Sequence, residues 1–270
     1  MARAAGNSNH YTFCLQDHKG KYHPKVKIEL PSSTHIIKST LAAPQLVQWA
    51  YRQTLDSVTG LLDAEAHEPH FDEEDTLMDT LVDADILDEW LKQNKMRPND
   101  VRDEAGDRGH REHELLEKLG KIGLEDPEAA SLYAHKALIK KPDSPWARGI
   151  LDWWIERGPI VYASELLLVS PKHGFAGTVD LIWMDDDGKL VVTDLKTRKI
   201  GAEVYTSDMF QVDSYMLGYE EQEGRTPDRG SVLVVREDGT WIEKAVNIPR
   251  GAFLDLLKVY DIDQASRRRK

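Results

Sequence analysis

The hydrophobic pattern of this chain changes period at Gly158-Pro159, and no other feature narrows its possible folds as much. Upstream, apolar residues recur at the spacing of helices that bury one face. Downstream, they alternate with polar residues in short runs, as strands do. The upstream part predicts helices over Gln45 to Val58 closed by Gly60, Val101 to Leu119 closed by Gly120, Pro127 to Ile139, and Pro145 to Arg157. Ahead of them, Tyr11 to Leu15 and Val26 to Leu30 read as a hairpin around Asp17 to Gly20. The downstream part predicts strands over Ile160 to Val169, Phe175 to Trp183 and Leu190 to Thr197. A helix over Ser207 to Glu223 follows, with Ser207 as N-cap and Gly224 as stop. A hairpin of Ser231 to Val235 and Thr240 to Val246 then leads to a last helix. The expectation is one domain over residues 1–260, with a hairpin and helical region at 1–158 and a sheet core at 159–250 that carries the helix 207–223. Residues 261–270 read as a basic tail, with Arg267-Arg268-Arg269-Lys270 at its end expected to be disordered.

Charge restricts what such a molecule binds. Thirty-five Lys and Arg against 47 Asp and Glu give a formal net charge of −12, the opposite of a particle that coats nucleic acid unspecifically. A polyanion would need a local positive patch or a metal ion here. Twelve of the acidic residues fall between Leu61 and Glu89 with no Lys or Arg among them. Such a run reads as a solvated helix face or loop, with repulsion of DNA from that side as the alternative. The single cysteine, Cys14, excludes an internal disulfide and every four-cysteine zinc or iron–sulfur centre. No apolar run approaches the roughly 18 residues of a membrane span, and the N-terminus lacks a secretory stretch. A soluble, cytoplasmic protein is expected.

The informative stretch runs from Gly177 to Thr197. A loop of Asp186, Asp187 and Gly188 suits a three-residue hairpin, in which Asp185 pairs with Lys189. Counting outward sets Asp180 opposite Asp194, with directly opposed side chains about 5 Å apart on one face. If Pro171 to Gly174 is a four-residue loop, Glu165 lands opposite Asp180 on the other side. Three carboxylates in a row repel one another unless protons or cations are supplied. Lys196 shares the face of Asp194 while Leu195 points away, because strand side chains alternate. Asp-x-Lys on a strand is also an ordinary surface pair, worth under about 1 kcal/mol. The apolar flank Leu190 to Val192, the room that Gly177 leaves for close approach and the agreement of two loop counts argue for a site instead. Oxygen ligands on a rigid sheet favour Mg²⁺ or Mn²⁺, which can hold a phosphate and acidify a bound water. Lys196 could orient or help deprotonate that water, or stabilise charge developing on the phosphate. The natural chemistry is phosphodiester hydrolysis.

These residues resemble the PD-(D/E)XK nuclease superfamily, and within it the RecB-like exonuclease branch. The resemblance rests on Gly177-x-x-Asp180, then Asp194-Leu195-Lys196-Thr197, then Gln211-x-x-x-Tyr215, with Arg108-Gly109-x-x-x-His113-x-x-x-Glu117 upstream. Leu30 to Ile37 is similar to an early segment of mitochondrial genome-maintenance exonucleases and related phage exonucleases. The resemblance implies an α/β fold with a restriction-endonuclease-like core, a central mixed sheet flanked by helices, and an N-terminal helical region. It implies that Asp180, Asp194 and the Leu195 carbonyl bind metal, with Glu165 and His113 as further ligands. Lys196 would be catalytic, and Gln211 and Tyr215, four apart on one helix face, would brace the site and contact DNA. Asp194 stands where many relatives have Glu. Some relatives add an iron–sulfur cluster, for which Cys14 alone does not suffice. No phosphate-binding loop of a motor ATPase is present.

The reading is therefore a Mg²⁺- or Mn²⁺-dependent DNA exonuclease acting on single strands or ends, in a setting of DNA recombination, repair or phage replication. A structure-specific or restriction-type endonuclease of the same fold is the alternative, and a non-catalytic DNA- or protein-binding module is the rival from another class. Arg108, Thr197, Arg198 and Lys199 are candidate DNA contacts. Ser33 and Thr34 either touch phosphate or cap the helix that follows. Trp49, Trp146, Trp153 and Trp154 stack on bases or, more simply, pack the core.

Overall fold

The structure, a computed structural model, describes residues 2–6, 9–16, 22–41, 97–142 and 144–268, together with 89, 91–93 and 95. The expected helix at Gln45 to Val58, Trp49, the turn at Asp17 to Gly20 and nearly all of the acidic run lie outside the described residues, as does the side chain of Arg108. The chain divides into two compact units, residues 1–42 with 111–270 and residues 43–110. Every element below belongs to the first, except the beginning of its longest helix.

Three antiparallel strands open the chain: β1 (Ala2–Gly6), β2 (His10–Gln16) and β3 (Tyr22–Pro31). The β2–β3 hairpin is the expected one, and β1 is an added strand with no alternation long enough to signal it. Helix α1 (Ser33–Thr40) follows, then α2 (Pro98–Glu125), α3 (Pro127–Ile139) and α4 (Pro145–Arg157). Strands β4 (Ile160–Ser170), β5 (Phe175–Met184) and β6 (Leu190–Arg198) come next. Helix α5 (Thr206–Glu223), strands β7 (Arg229–Arg236) and β8 (Trp241–Ala245) and helix α6 (Phe253–Arg267) end the chain. The large sheet has the order β4-β5-β6-β7-β8, antiparallel except for the parallel pair β6–β7, which α5 connects. This is the mixed sheet flanked by helices that the sequence implied.

Capping explains where α3 and α4 begin. Asp126 accepts the N–H groups of Glu128 and Ala129, Ser144 accepts that of Ala147, and a proline occupies the first turn of each helix. Three sequence expectations need correction. Helix α2 does not stop at Gly120 but runs to Glu125, because Gly120 and Gly123 are where it lies closest to β4. A Cβ on Gly120 would fall 2.6 Å from Ser164 Cβ, and one on Gly123 would fall 2.9 Å from Val161 Cγ2. Helix α5 begins at Thr206, not after Ser207, since the N-cap is Tyr205, whose N–H goes to the Asp208 carboxylate. The residues 261–267 are the end of α6, not a tail.

Side chains alternate across the sheet, as a strand dictates. Leu181, Trp183, Val191, Leu195, Leu233 and Val235 meet α2, α3 and α4 on one face, where Trp153 and Trp154 are buried. Ile182, Leu190, Val192, Val232 and Val234 meet α5 on the other through Val212, Tyr215, Met216 and Tyr219. Each large apolar side chain so buried contributes about 1.5–3 kcal/mol. A third cluster joins Ile36 and Ile37 of α1 to Phe175, Phe253, Leu257 and Tyr260, which fixes α1 against the start of β5 and against α6.

Besides a bulge between Val161 and Ala163 on β4, the alternation breaks at a position shared by two adjacent strands. On β4, Ser164 faces α2, yet Leu166 faces α5 two residues later. On β5, Leu181 faces α2, yet Val179 faces α5. The residues between them are Glu165 and Asp180.

Candidate active site

Strands β5 and β6 pair from Met184↔Leu190 to Leu181↔Thr193, and Asp185 N–H donates to the Lys189 carbonyl at 3.0 Å, so the three-residue loop sets the register as counted. One step further brings Asp180 to Asp194, but the ladder ends before that pair. At this point the Asp180 carboxylate takes the place of a strand: its Oδ2 accepts the Leu195 N–H at 2.6 Å. Since the N–H and C=O of one strand residue face the same neighbour, the Leu195 carbonyl also lies on the Asp180 side.

On the other side β4 and β5 pair from Ser170↔Phe175 to Leu166↔Val179 and resume at Ser164↔Leu181. Glu165 is skipped, with φ of +50°, a left-handed backbone that costs a non-glycine residue on the order of 1–3 kcal/mol. It remains beside Asp180, as counted, but not as an ordinary ladder residue. Helix α2 brings His113 to the same place, its Nδ1 3.2 Å from Asp180 Oδ1. His113, Glu165 and Asp180 each offer a ligand atom within 4.8 Å of the others. Donor atoms around an octahedral Mg²⁺ or Mn²⁺ lie roughly 3–4 Å apart, so small inward movements would close this group on a cation. One imidazole with carboxylates suits Mn²⁺ as well as Mg²⁺.

Asp194 lies outside that trio, buried, its Oδ2 2.7 Å from the Lys196 ammonium. Lys196 also donates to Gln211 Oε1 at 3.0 Å, and Gln211 Nε2 donates to the Tyr215 hydroxyl at 2.7 Å and to Thr34 Oγ1 at 3.1 Å. Gly177 makes this possible, because a Cβ there would fall 2.7 Å from Tyr215 Cε1 and 2.9 Å from Ser33 Oγ. The close approach expected at Gly177 is thus by a tyrosine ring and a serine.

The electrostatics match a centre short of positive charge. Burial works against an imidazolium at His113, but Asp180 outweighs it and raises the pKa to about 9. Burial and the neighbouring Asp180 push Glu165 up to about 7. Burial also raises Asp194 to about 6, against the pull of Lys196. For Asp180, burial is overcome by His113, Lys196 and the Leu195 N–H, and its pKa falls below the ordinary value. Partial burial works against the Lys196 ammonium too, yet the two aspartates hold it more firmly protonated than usual. Burial lifts Tyr215 well above the phenol range, so it stays a neutral hydroxyl.

The expected DNA contacts are placed unevenly. Ser33 is only 1% exposed, behind Gly177, and the N-cap of α1 is Ser32, which accepts the His35 N–H. Thr34 faces Gln211. Arg198 is held by both oxygens of Asp208 at 3.0 and 3.2 Å and lies over the Tyr205 ring. Thr197 is half-buried at the end of β6, and Lys199, two residues on, is exposed. Trp153 and Trp154 are core residues, and Trp146 donates its indole N–H to the Arg198 carbonyl. A cleft of about 550 Å³ at the far end of the sheet contains Arg157 and Arg229, but Glu243 and Asp185 already neutralise both.

No curated protein matches this chain. Among solved structures, the crystal structure of SSO0001 is similar at 17% identity, over 56% of this chain and 73% of that one, with a TM-score of 0.30. A family model, that of the PD-(D/E)XK nuclease superfamily, matches residues 88–259, from before α2 into α6. That span takes in His113, Glu165, Asp180, Asp194, Lys196, Gln211 and Tyr215 and covers more than half of the sequence, so the chain belongs to the PD-(D/E)XK nuclease superfamily.

Proposed function

We propose that this protein is a Mg²⁺- or Mn²⁺-dependent DNA exonuclease acting on single strands or DNA ends. The observation that carries the reading is the Lys196 ammonium, half-buried beside Asp194 and tied to Gln211 at the edge of the His113, Glu165 and Asp180 group. Asp180, Glu165 and His113 would hold a divalent cation, with Asp194 and the Leu195 carbonyl completing the set. Bound there, the cation would neutralise the clustered carboxylates, take a phosphate oxygen and acidify a water. The protein's own part is positional. Gln211 and Asp194 fix the ammonium so that it can orient the attacking water or stabilise charge as the P–O bond breaks. Thr197 and Lys199 would carry flanking phosphates, the contacts that a net charge of −12 requires to be local. Preference for strands with ends rests on the order of motifs, which is similar to that of RecB-like exonucleases.

Matched linear single-stranded, linear double-stranded and closed circular DNA, with Mg²⁺ and with chelator, test this. The proposal expects metal-dependent release of short products from the linear substrates and intact circles. Nicking or linearising the circles would replace the exonuclease by the endonuclease of the same fold.

A further inference from the structure

We infer that Thr34 is a positioning residue for the catalytic lysine, acting through the Gln211 amide. This rests on the nuclease reading of the site above. Lys196 carries only donors, so Gln211 must turn its Oε1 toward the ammonium, where the distance is 3.0 Å. The amide nitrogen then has two N–H groups to place. One goes to the Tyr215 hydroxyl at 2.7 Å and the other to Thr34 Oγ1 at 3.1 Å. With both acceptors in place every polar atom of the amide is used, and the flipped amide would set N–H groups against an ammonium.

The two acceptors differ in origin. Tyr215 lies one turn along the same helix as Gln211, so it moves with it. Thr34 lies 177 residues away in sequence and supplies an external reference. Its helix shares a cluster with Phe210 and Leu217 of α5, but it is also anchored to elements other than α5. Ser32 bridges to Ala176, Ser33 is buried against Gly177, and Ile36 and Ile37 pack on Phe175, Phe253 and Tyr260. Residue 34 is thereby held to the strand that carries Asp180, and the Thr34–Gln211 bond ties the lysine to the frame of the metal group. Removal of one hydrogen bond in such a chain weakens the orientation of the next.

The test uses Thr34→Val, which keeps the shape and removes the acceptor, and Thr34→Ser, which restores it. On end-labelled linear DNA with Mg²⁺, Thr34→Val is expected to lower kcat about tenfold with little change in KM, and Thr34→Ser to recover most of it. In a Gln211→Ala background Thr34→Val should change nothing further. A rise in KM alone would make Thr34 a substrate contact and overturn the proposal, as would an unchanged kcat or equal losses in Val and Ser. Reductive methylation of Lys196, followed by mass spectrometry without substrate, reads the same link. Lys196 should label faster in Thr34→Val and Gln211→Ala than in the wild type and Thr34→Ser, and equal labelling overturns the proposal. Absence of nuclease activity in the wild type would remove the functional reading, while the labelling would still decide the role of Thr34.

Discussion

Glu165 concentrates the cost of this site in one residue. It combines a left-handed backbone inside a strand with a carboxyl that burial and Asp180 push up to about 7. A group whose folded pKa is raised penalises the folded state as it ionises, so Glu165 loses stability between its ordinary 4.5 and about 7. Asp194, raised to about 6, acts in the same direction. The His113–Asp180 pair contributes fully below pH 6.5 and is lost as pH climbs through about 9. Asp180, with its pKa lowered, matters only on the acid side of this range. The metal-free protein should therefore melt at progressively lower temperature from pH 5 to pH 9, and Mn²⁺ should flatten that slope by replacing the protons. Thermal melts in chelator across this range check it, and a melting temperature that is flat or rises with pH contradicts it. Glu165→Gln should stabilise the metal-free protein at pH 8 by roughly 1 kcal/mol, a figure discounted for solvent screening, while lowering activity. The positions of Asp180, Asp194 and Lys196 were legible because a three-residue loop fixes a register. The backbone turn at Glu165 was not, since one residue's conformation leaves no period in a sequence. Nor was the Thr34–Gln211 bond, made between residues whose chain separation hides it.

At the scale of elements, α2 is the piece whose placement decides whether His113 reaches the sheet. Gly120 sets that distance, two turns beyond His113 on the same helix, with Ser164 filling the space a side chain would need. Gly120→Ala should push α2 off β4, cost about 1–3 kcal/mol by overpacking, and weaken Mn²⁺ binding by moving His113. Denaturant unfolding and Mn²⁺ titration of the variant check both effects, and wild-type Mn²⁺ affinity would show that helix spacing does not govern the site. The same glycine misled the sequence reading, because glycine ends helices and also lets helices approach strands, and composition alone does not separate the two. Helices α3 and α4 were legible to the residue because a capping side chain is followed at once by proline. Helix α5 started early because Asp208 serves the helix N-terminus and Arg198 together, a partnership spread over two elements.

In the whole molecule, the change of period at Gly158-Pro159 does separate helices α1 to α4 from the large sheet, and the helix between β6 and β7 accounts for their parallel pairing, which a short turn cannot make. The faces of that sheet were legible from alternation except at the β4 bulge between Val161 and Ala163 and at Glu165 and Asp180, where both strands reverse. The second exception coincides with the candidate site, and it explains how α2 on one face and α5 on the other both reach it. With an acidic balance of −12, any polyanion would have to be held by the candidate metal group and a few local cations. The most direct test of the whole account is release of end label from linear DNA by the wild type and by Asp180→Ala, purified alike, with Mg²⁺ and with chelator. The wild type should release label only with the metal, and Asp180→Ala should be slower by at least about a hundredfold. Equal rates in the two proteins, or release that persists in chelator, would contradict a metal-dependent nuclease centred on Asp180.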